Sequence, residues 1–250
     1  MKKYTQADVD AIERDENGWR YMPRGEYDEG VYFGDKCVIA EDSVLGEGCT
    51  MGDCCLVKSY SKLGDFCELG NDCKLGDHCK LGNDCELGDR CELGNGCELG
   101  NNCKLGNDCE LGDRCELGNY CKLGEGCELG NYCELGDRCE LGGWCELGDR
   151  CELGGWCELG DRCKLGEGCK IEGGKVEIEN YIKTGPIGSR GDAAYFYKDV
   201  SGGMFVRAGC WFGGADDFER RVKEVHQGTR HERDYLAALE FAKAVLQSEP

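Results

Sequence analysis

The 250-residue chain has few of the features that mark the common classes of enzymes and membrane proteins. It contains only 3 proline and 3 histidine residues and has no long run of apolar residues. Without such a run, neither a membrane span nor a signal peptide is predicted. Basic residues are also scarce, because 30 Lys and Arg face 50 Asp and Glu, which gives a net charge of -20. A surface this acidic disfavours binding to nucleic acid or anionic membranes.

Glycine and cysteine are abundant instead, with 41 and 23 residues, and both follow one short repeat. Between Gly64 and Ile171 a six-residue unit occurs 18 times without insertion or deletion. Its positions 1 to 6 are Gly, usually Asp or Asn, a variable residue, Cys, Glu or Lys, and Leu. Degenerate copies extend the pattern back to Gly34, and position 4 departs from Cys only at Ser43 and Ser61. A fixed short period of this kind predicts a solenoid.

One hexad supplies one strand and one bend, which together form one side of a solenoid turn. Positions 4 to 6 form a short strand in which Cys and Leu point to one side and Glu or Lys to the other. Glycine, Asp and Asn tolerate positive φ, so we expect the chain to bend at positions 1 and 2 after every strand. Three bends return the chain to its start, so that parallel strands three hexads apart stack in register. The segment 34–171 then forms about 7.7 turns.

This pattern resembles that of the hexapeptide-repeat proteins, which fold as left-handed parallel β-helices. Their repeat has an aliphatic residue, often a following Gly, and a small residue four places after the aliphatic one. Leu87-Gly88-Asp89-Arg90-Cys91 fits this arrangement, with Cys in the small place. The resemblance covers more than half of the chain and implies a mainly β, three-sided, left-handed solenoid.

Three segments are predicted. Residues 1–33 form an N-terminal cap with a helical pattern from Thr5 to Glu16, in which Thr5 is the N-cap. Residues 34–171 form the solenoid, and residues 172–250 form a small α+β domain with two strands and two helices. The predicted elements of that domain are strands Ala193–Asp199 and Met204–Phe212 and helices Ala215–Gln227 and Arg230–Leu246. The C-terminal region loosely resembles tails of uncharacterised bacterial and phage hexapeptide-repeat proteins.

The cysteine columns predict packing rather than disulfides, metal binding or a cofactor. Stacked cysteines lie three hexads apart on strands about 4.8 Å apart, whereas a relaxed disulfide needs Cβ atoms about 3.8 Å apart. Zinc sites use cysteines two to four residues apart, and buried Cys is a small hydrophobe of suitable size. We therefore predict reduced thiols, a cytoplasmic location and no cofactor. Cys54 breaks the pattern at an outward corner and is the candidate reactive thiol.

Residues at equal places in successive turns form columns on the surface. Two faces carry long glutamate ladders with Lys at their ends, and their central members are Glu110, Glu128, Glu116 and Glu134. At position 3, Arg alternates with aromatic residues at a spacing suited to cation–π stacking. The candidate interaction residues at these corners are Tyr120, Tyr132, Arg138, Trp144, Arg150 and Trp156. These columns are interpreted either as a solvated, locally stiffened surface or as a docking surface for a protein partner.

The sequence favours a non-catalytic acidic scaffold or protein-interaction rod, with residues 172–250 giving specificity. The predicted partner is a protein or a second copy of the chain, with neither nucleic acid nor membrane. An inhibitor that mimics nucleic acid, as in conflict between phage and host, is one alternative. An acyltransferase-like enzyme is another, because the resemblance includes acyltransferases that use a His near a loop leaving the coil. Here the repeat has one His, His78, and no such loop.

Overall fold

The computed structural model describes residues 1–160, 162–171, 176–188, 192–209 and 211–246. They form two compact units, one containing residues 1–166 and the other containing the described residues from 176 onwards. The first unit is a solenoid of about eight turns built from parallel strands in three sheets, here named faces 1 to 3. The mainly β solenoid predicted from the repeat is therefore confirmed.

Most solenoid strands are the two residues at positions 5 and 6 of a hexad. Face 1 contains Arg20–Met22, Cys37–Ile39, Leu56–Val57, Lys74–Leu75, Glu92–Leu93, Glu110–Leu111, Glu128–Leu129, Glu146–Leu147 and Lys164–Leu165. Face 2 contains Lys3–Tyr4, Glu26–Tyr27, Val44–Leu45, Lys62–Leu63, Lys80–Leu81, Glu98–Leu99, Glu116–Leu117, Glu134–Leu135 and Glu152–Leu153. Face 3 contains Tyr32–Gly34, Thr50–Met51, Glu68–Leu69, Glu86–Leu87, Lys104–Leu105, Lys122–Leu123, Glu140–Leu141 and Glu158–Leu159. A further two-residue strand is Lys170–Ile171.

The strand register repeats every three hexads, as the sequence predicts. Glu92 pairs with Glu110, and Leu93 pairs with Leu111. Cysteines at position 4 and leucines at position 6 are buried along the repeat, and the position 5 side chains point outwards. Hydrophobic burial of two side chains per hexad therefore stabilises every turn.

Glycine at position 1 is required by the close approach of neighbouring turns. A Cβ at Gly88 would lie 2.8 Å from both Asn71 N and Gly70 C of the preceding turn. The positive φ angles occur instead at position 3, where non-glycine residues have φ between +52° and +66°. The expectation of positive φ at positions 1 and 2 is therefore wrong, because glycine serves here to let the backbones meet.

Asp and Asn at position 2 form hydrogen-bonded ladders along the corners. The Oδ1 atom of Asn71 accepts the backbone N–H of Asp89, one turn later, at 2.7 Å. The Oδ1 atom of Asp89 accepts the N–H of Asn107 in turn, at 2.6 Å. At position 3, the N–H of Arg90 donates to the carbonyl of Asn107 at 2.8 Å. The polar residues of the repeat thus satisfy corner backbone groups that strand pairing leaves free.

The thiol at position 4 also bonds to the backbone. Cys91 donates to the carbonyl of Gly70, in the preceding turn, with Sγ and O 3.3 Å apart. The same contact recurs along the repeat at 3.2 to 3.4 Å. Ser61, one of the two residues that replace Cys, donates in the same way to Ala40 at 3.2 Å. Position 4 therefore favours a small side chain that is also a hydrogen-bond donor.

Residues 1–33 take part in all three faces and also cap the strands. Helix α1 (Gln6–Asp10) begins at Thr5, which forms a capping box with Asp8, so the predicted N-cap is confirmed. The side chain of Gln6 accepts the N–H of Tyr32 at 2.7 Å and donates to its carbonyl at 2.9 Å. This amide therefore pairs with an edge strand as another strand would.

Helix α1 is shorter than the helix predicted from Thr5 to Glu16. Its C-cap is Ala11, and the chain then turns around the carboxylate of Asp15. That carboxylate accepts the N–H of Asn17 at 2.9 Å and of Trp19 at 2.8 Å. An Asp that bonds to backbone N–H groups following it favours a turn over a helix, which accounts for the early end.

The second unit is an antiparallel sheet with two helices. Its strands are Val176–Ile187, Asp192–Asp199, Met204–Ala208 and Trp211–Gly214, paired in that order. Helices α2 (Ala215–Val225) and α3 (Arg230–Leu246) pack on the sheet. Phe196, Val206, Phe218 and Leu239 lie in the shared core.

The second unit has four strands where the sequence predicted two. The predicted strand Met204–Phe212 is interrupted at Gly209, which has φ of +54° and lies between two antiparallel strands. The sequence analysis missed the first strand, Val176–Ile187. Many of its exposed side chains are polar, and it contains Gly185 and Pro186, which are typical of turns.

Candidate interaction surface

Position 3 places its side chains on the three outer edges of the solenoid in a left-handed backbone conformation. This conformation costs roughly 1–2 kcal/mol for a residue with a Cβ, and glycine avoids that cost. Four described corners do use glycine, namely Gly48, Gly96, Gly126 and Gly168. Tyr120, Tyr132, Trp144 and Trp156 instead adopt φ of +60°, +59°, +66° and +66°. The backbone therefore does not require these large rings.

The rings at position 3 are exposed. The exposed fractions are 49% for Tyr120, 46% for Tyr132, 56% for Trp144 and 40% for Trp156. They make no contribution to the buried core, so the sequence-based assignment of these residues to the surface is confirmed.

Arginine side chains stack on three of these rings. Tyr132 lies between Arg114 and Arg150, whose Cζ atoms are 5.8 and 5.7 Å from its ring centroid. Arg150 also donates to the Tyr132 hydroxyl at 2.8 Å. These distances confirm the cation–π stacking predicted for this edge.

The other two edges carry related contacts. Arg138 Cζ is 5.6 Å from the ring of Tyr120, and Arg162 Cζ is 4.4 Å from the ring of Trp144. Within the part of the chain that is described, no comparable contact joins Arg138 to Trp156. The four arginines also form no ion pair with any described carboxylate, so their guanidinium groups keep hydrogen-bonding capacity for a partner.

The glutamate ladders lie on faces 1 and 2, as predicted. At their ends, Lys74 Nζ is 2.6 Å from Glu92 Oε1 and Lys80 Nζ is 2.6 Å from Glu98 Oε1, while Lys164 contacts Glu146. Among the residues described, the interior glutamates form no ion pair: Glu110, Glu128, Glu116 and Glu134. Because like charges in register repel, the centre of each ladder is electrostatically strained.

One edge also contains an ion pair that the sequence analysis did not single out. The guanidinium of Arg90 donates from Nε and Nη2 to the two carboxylate oxygens of Asp72, each at 2.8 Å. These hydrogen bonds hold the pKa of the Asp72 carboxyl below its usual value. Reading position 3 in steps of three hexads reveals this pair, since Asp72 and Arg90 occupy the same column.

The position 4 cysteines in the described part of the chain are buried, and none of them forms a disulfide. The neighbouring thiol of Cys121, together with burial, raises the pKa of Cys139 to about 12. The shifts differ in direction along the stacks, since hydrogen bonds from Cys133 and Cys97 lower the pKa of Cys115. Burial, which keeps reagents away, is therefore what makes these thiols poor nucleophiles. Cys54 lies at position 3 with φ of +58° and is half-buried, which makes it more accessible than the position 4 thiols. Cys210 lies outside the described residues.

Histidines and membrane segments offer no further candidate site. The imidazole of His78 stacks on the ring of Tyr60, with centroids 5.3 Å apart, at a corner of the solenoid. In the second unit, His226 and His231 have ring centroids 5.9 Å apart. No cluster of three or more metal-ligating side chains occurs in the described segments. Likewise, none of the described helices is long and apolar enough to cross a membrane.

Comparison with known families supports the fold. The family model described as bacterial transferase hexapeptide (six repeats) matches residues 66–101 and 96–131. These matches lie inside the stacked parallel strands of faces 1 to 3. The matched repeats and the stacked parallel strands fit the hexapeptide-repeat β-helix superfamily.

The likeness to hexapeptide-repeat proteins agrees with the period and the stacking, but it assigns no single activity. No curated protein and no solved structure matches the chain. The comparisons also give no support to the likeness between residues 172–250 and phage proteins.

Proposed function

We propose that this hexapeptide-repeat protein is a non-catalytic scaffold whose solenoid edges bind a protein partner or a second copy of the chain. The observation that carries the proposal is the presence of exposed Arg, Tyr and Trp at position 3 from residue 114 to residue 162. At these corners glycine would satisfy the backbone better, and the large rings bury nothing in the core. Exposed aromatic and arginine side chains are typical of interface centres.

The charge distribution also favours a protein partner. The edges carry guanidinium groups beside faces that carry unpaired glutamates. A partner with mixed charges could pair with both, whereas a nucleic acid would be repelled by the net charge of -20. The second unit, with its own core, is proposed to give specificity.

The proposal is tested with the double variant Tyr132→Gly and Trp156→Gly in the full chain. We expect weaker self-association by light scattering, or weaker binding of a captured partner. The free energy of unfolding should change by less than about 1 kcal/mol, because lost ring contacts are offset by relief of the left-handed backbone. Tyr60→Gly, at the same position in the N-terminal half, is the matched control and should leave association unchanged. Association that is unaffected by the double variant would contradict the proposal.

The two alternatives predict different results. A mimic of nucleic acid depends on total negative charge, so replacing interior ladder glutamates by Lys would abolish its activity, whereas edge variants would not. An acyltransferase is suggested by the name of the matching family model. It would acetylate an amine or hydroxyl with acetyl coenzyme A, and a His78→Ala variant would lose that turnover.

A further inference from the structure

One edge of the solenoid has a regular column of side chains with a gap in it. The column consists of the position 3 residues that follow face 3 and precede face 1. Its members from residue 72 onwards are Asp72, Arg90, Asp108, Gly126, Trp144 and Arg162. Side chains in adjacent layers of this column contact each other, as Arg90 does with Asp72 and Arg162 with Trp144.

The gap lies in the layer of Gly126. Gly126 has φ of +69°, so its backbone has the same conformation as its neighbours in the column. A Cβ at this residue would meet only the side chain of Asp108, with Oδ1 2.6 Å away, and no atom of Trp144 within 4 Å. The backbones of Asp108 and Trp144 are two strand spacings apart, or roughly 9.6 Å. This separation corresponds to one intervening layer, into which the carboxylate of Asp108 reaches from one side.

The groups on either side of the gap both attract cations. Trp144 has 56% of its surface exposed. Arg162 covers one face of the indole from the next layer, at 4.4 Å, so the opposite face is directed towards the layer of Gly126. Asp108 is exposed, and its carboxylate forms no ion pair with any described residue. An indole face and a carboxylate together favour a cation between them.

Further carboxylates lie near the gap on the side of face 1 and at the corner itself. The neighbouring Glu125 is exposed, and so are Glu110 and Glu128, two of the unpaired ladder glutamates. Along this column, the layers before the gap alternate between carboxylate and guanidinium. A cation in the layer of Gly126 would continue that alternation and would stack on Trp144 as Arg162 does from the other side.

We propose that the gap at Gly126 binds the guanidinium group of an arginine from a basic protein segment. The guanidinium would stack on the free face of Trp144 and donate hydrogen bonds to the carboxylate of Asp108. A planar guanidinium suits a layer of about 4.8 Å better than a tetrahedral ammonium does, and it forms two-pronged bonds to carboxylates. This inference rests on the proposed role of the solenoid as an interaction module, and it names the chemistry of the partner.

The test measures binding of short blocked peptides to the full chain. The probe is a Gly-Arg-Gly peptide with acetyl and amide ends, compared with peptides in which Lys or citrulline replaces Arg. Binding is followed by titration while observing the indole N–H signal of Trp144 by NMR, assigned with a Trp144→Phe variant. We expect the Arg peptide to bind at least fivefold more tightly than the Lys peptide and the citrulline peptide to cause no shift.

Three substitutions locate the site. Gly126→Arg should abolish binding, because its own guanidinium fills the gap after a small rotation of the Asp108 carboxylate. Arginine is accepted at this position with positive φ at Arg90 and Arg114, so the variant should fold. Asp108→Asn should weaken binding at least fivefold. Gly96→Arg makes the same change at φ of +64° on another edge and should leave binding unchanged.

Equal binding of the Arg and citrulline peptides, or undiminished binding to Gly126→Arg, would overturn the inference. Circular dichroism of each variant shows whether it is folded. Failure here is distinguishable from failure of the scaffold proposal, because the test with Tyr132→Gly and Trp156→Gly involves the other two edges. If those variants weaken association while no peptide binds at Gly126, the scaffold proposal stands and the guanidinium site does not.

Discussion

At the scale of the residue, position 4 of the hexad combines two requirements. The side chain must be small, because it is buried between stacked strands, and it must donate a hydrogen bond to a carbonyl of the preceding turn. Cys115 meets both, with Sγ 3.3 Å from Gly94 O. The backbone N–H of Cys37 also donates to Cys55 Sγ, at 3.4 Å, so a thiol can accept as well. Ser61 shares both properties, because its hydroxyl donates to Ala40 at 3.2 Å, whereas the buried hydroxyl of Ser43 meets only the size requirement and has no hydrogen-bond partner among the described residues.

The role of the thiol is tested by comparing Cys115→Ser with Cys115→Ala. We expect the Ala variant to lose about 1 kcal/mol of unfolding free energy, because a buried carbonyl loses its donor and a small cavity forms. The Ser variant should lose less, since its hydroxyl can donate to Gly94. Chemical denaturation of both variants provides the measurement. Equal stability of the two variants would show that only volume matters, and a Ser variant less stable than the Ala variant would show that the hydrogen bond to Gly94 does not stabilise the site.

The positions of side chains were predictable at this scale, but the reason for the glycines was not. The sequence shows that glycine recurs at position 1, and either positive φ or close packing can require it. The structure shows that close packing requires it, because a Cβ added at Gly88 would lie only 2.8 Å from Asn71 N.

At the scale of the element, each face is a ladder whose stability depends on the order of its charges. Face 3 alternates in pairs, so that Lys104 meets Glu86 at 2.6 Å and Lys122 meets Glu140 at 2.9 Å. Face 1 instead stacks four glutamates between two lysines. Each exposed ion pair contributes little to stability. Repulsion between the stacked glutamates of face 1 adds to the difference in stability between the two faces.

A single reversal of charge on face 1 tests this difference. Glu128→Lys should raise the free energy of unfolding by about 0.5 kcal/mol, because the new ammonium lies between Glu110 and Glu146. Glu128→Gln removes the negative charge without adding a positive one, so about half of the gain is expected. The measurement is thermal unfolding at low salt, and the gain should shrink at about 1 M salt. No change in either variant would mean that the ladder glutamates splay apart and do not repel.

The second unit was predicted less well because its elements lack a fixed period. The prediction of helix α3 from Arg230 to Leu246 was correct, because its apolar residues recur at helical spacing. The strand Val176–Ile187 was not recognised, because its side chains do not alternate clearly and it contains Gly185 and Pro186. This segment is a strand because it pairs with Asp192–Asp199, and no local sequence pattern indicates that pairing.

At the scale of the whole molecule, the solenoid is a one-dimensional stack in which each turn contacts only its neighbours. The core side chains are nearly identical in every hexad, so the core alone does not distinguish one hexad from the next. The three corners of each turn set which hexads stack. The lysines and glutamates of the three faces then determine whether the stacked charges attract or repel, and hence how stable a given order of hexads is.

Deleting residues 92–109 tests this view against deletion of residues 92–103. The first deletion removes one turn, and Lys74 then stacks on Glu110 instead of Glu92, so each column keeps its charges. The second removes only two hexads, but Lys74 then stacks on Lys104 and Glu86 stacks on Glu116, so two ion pairs become two repulsive pairs. If contacts alone mattered, removing three hexads would lower the melting temperature more than removing two. Because the two-hexad deletion brings like charges into register, we expect its unfolding free energy to be lower than that of the three-hexad deletion by about 1 kcal/mol at low salt. This difference should disappear at about 1 M salt. Calorimetry of both variants gives their melting temperatures. If the three-hexad deletion has the lower melting temperature at every salt concentration, surface charge does not determine the stability of the stacking.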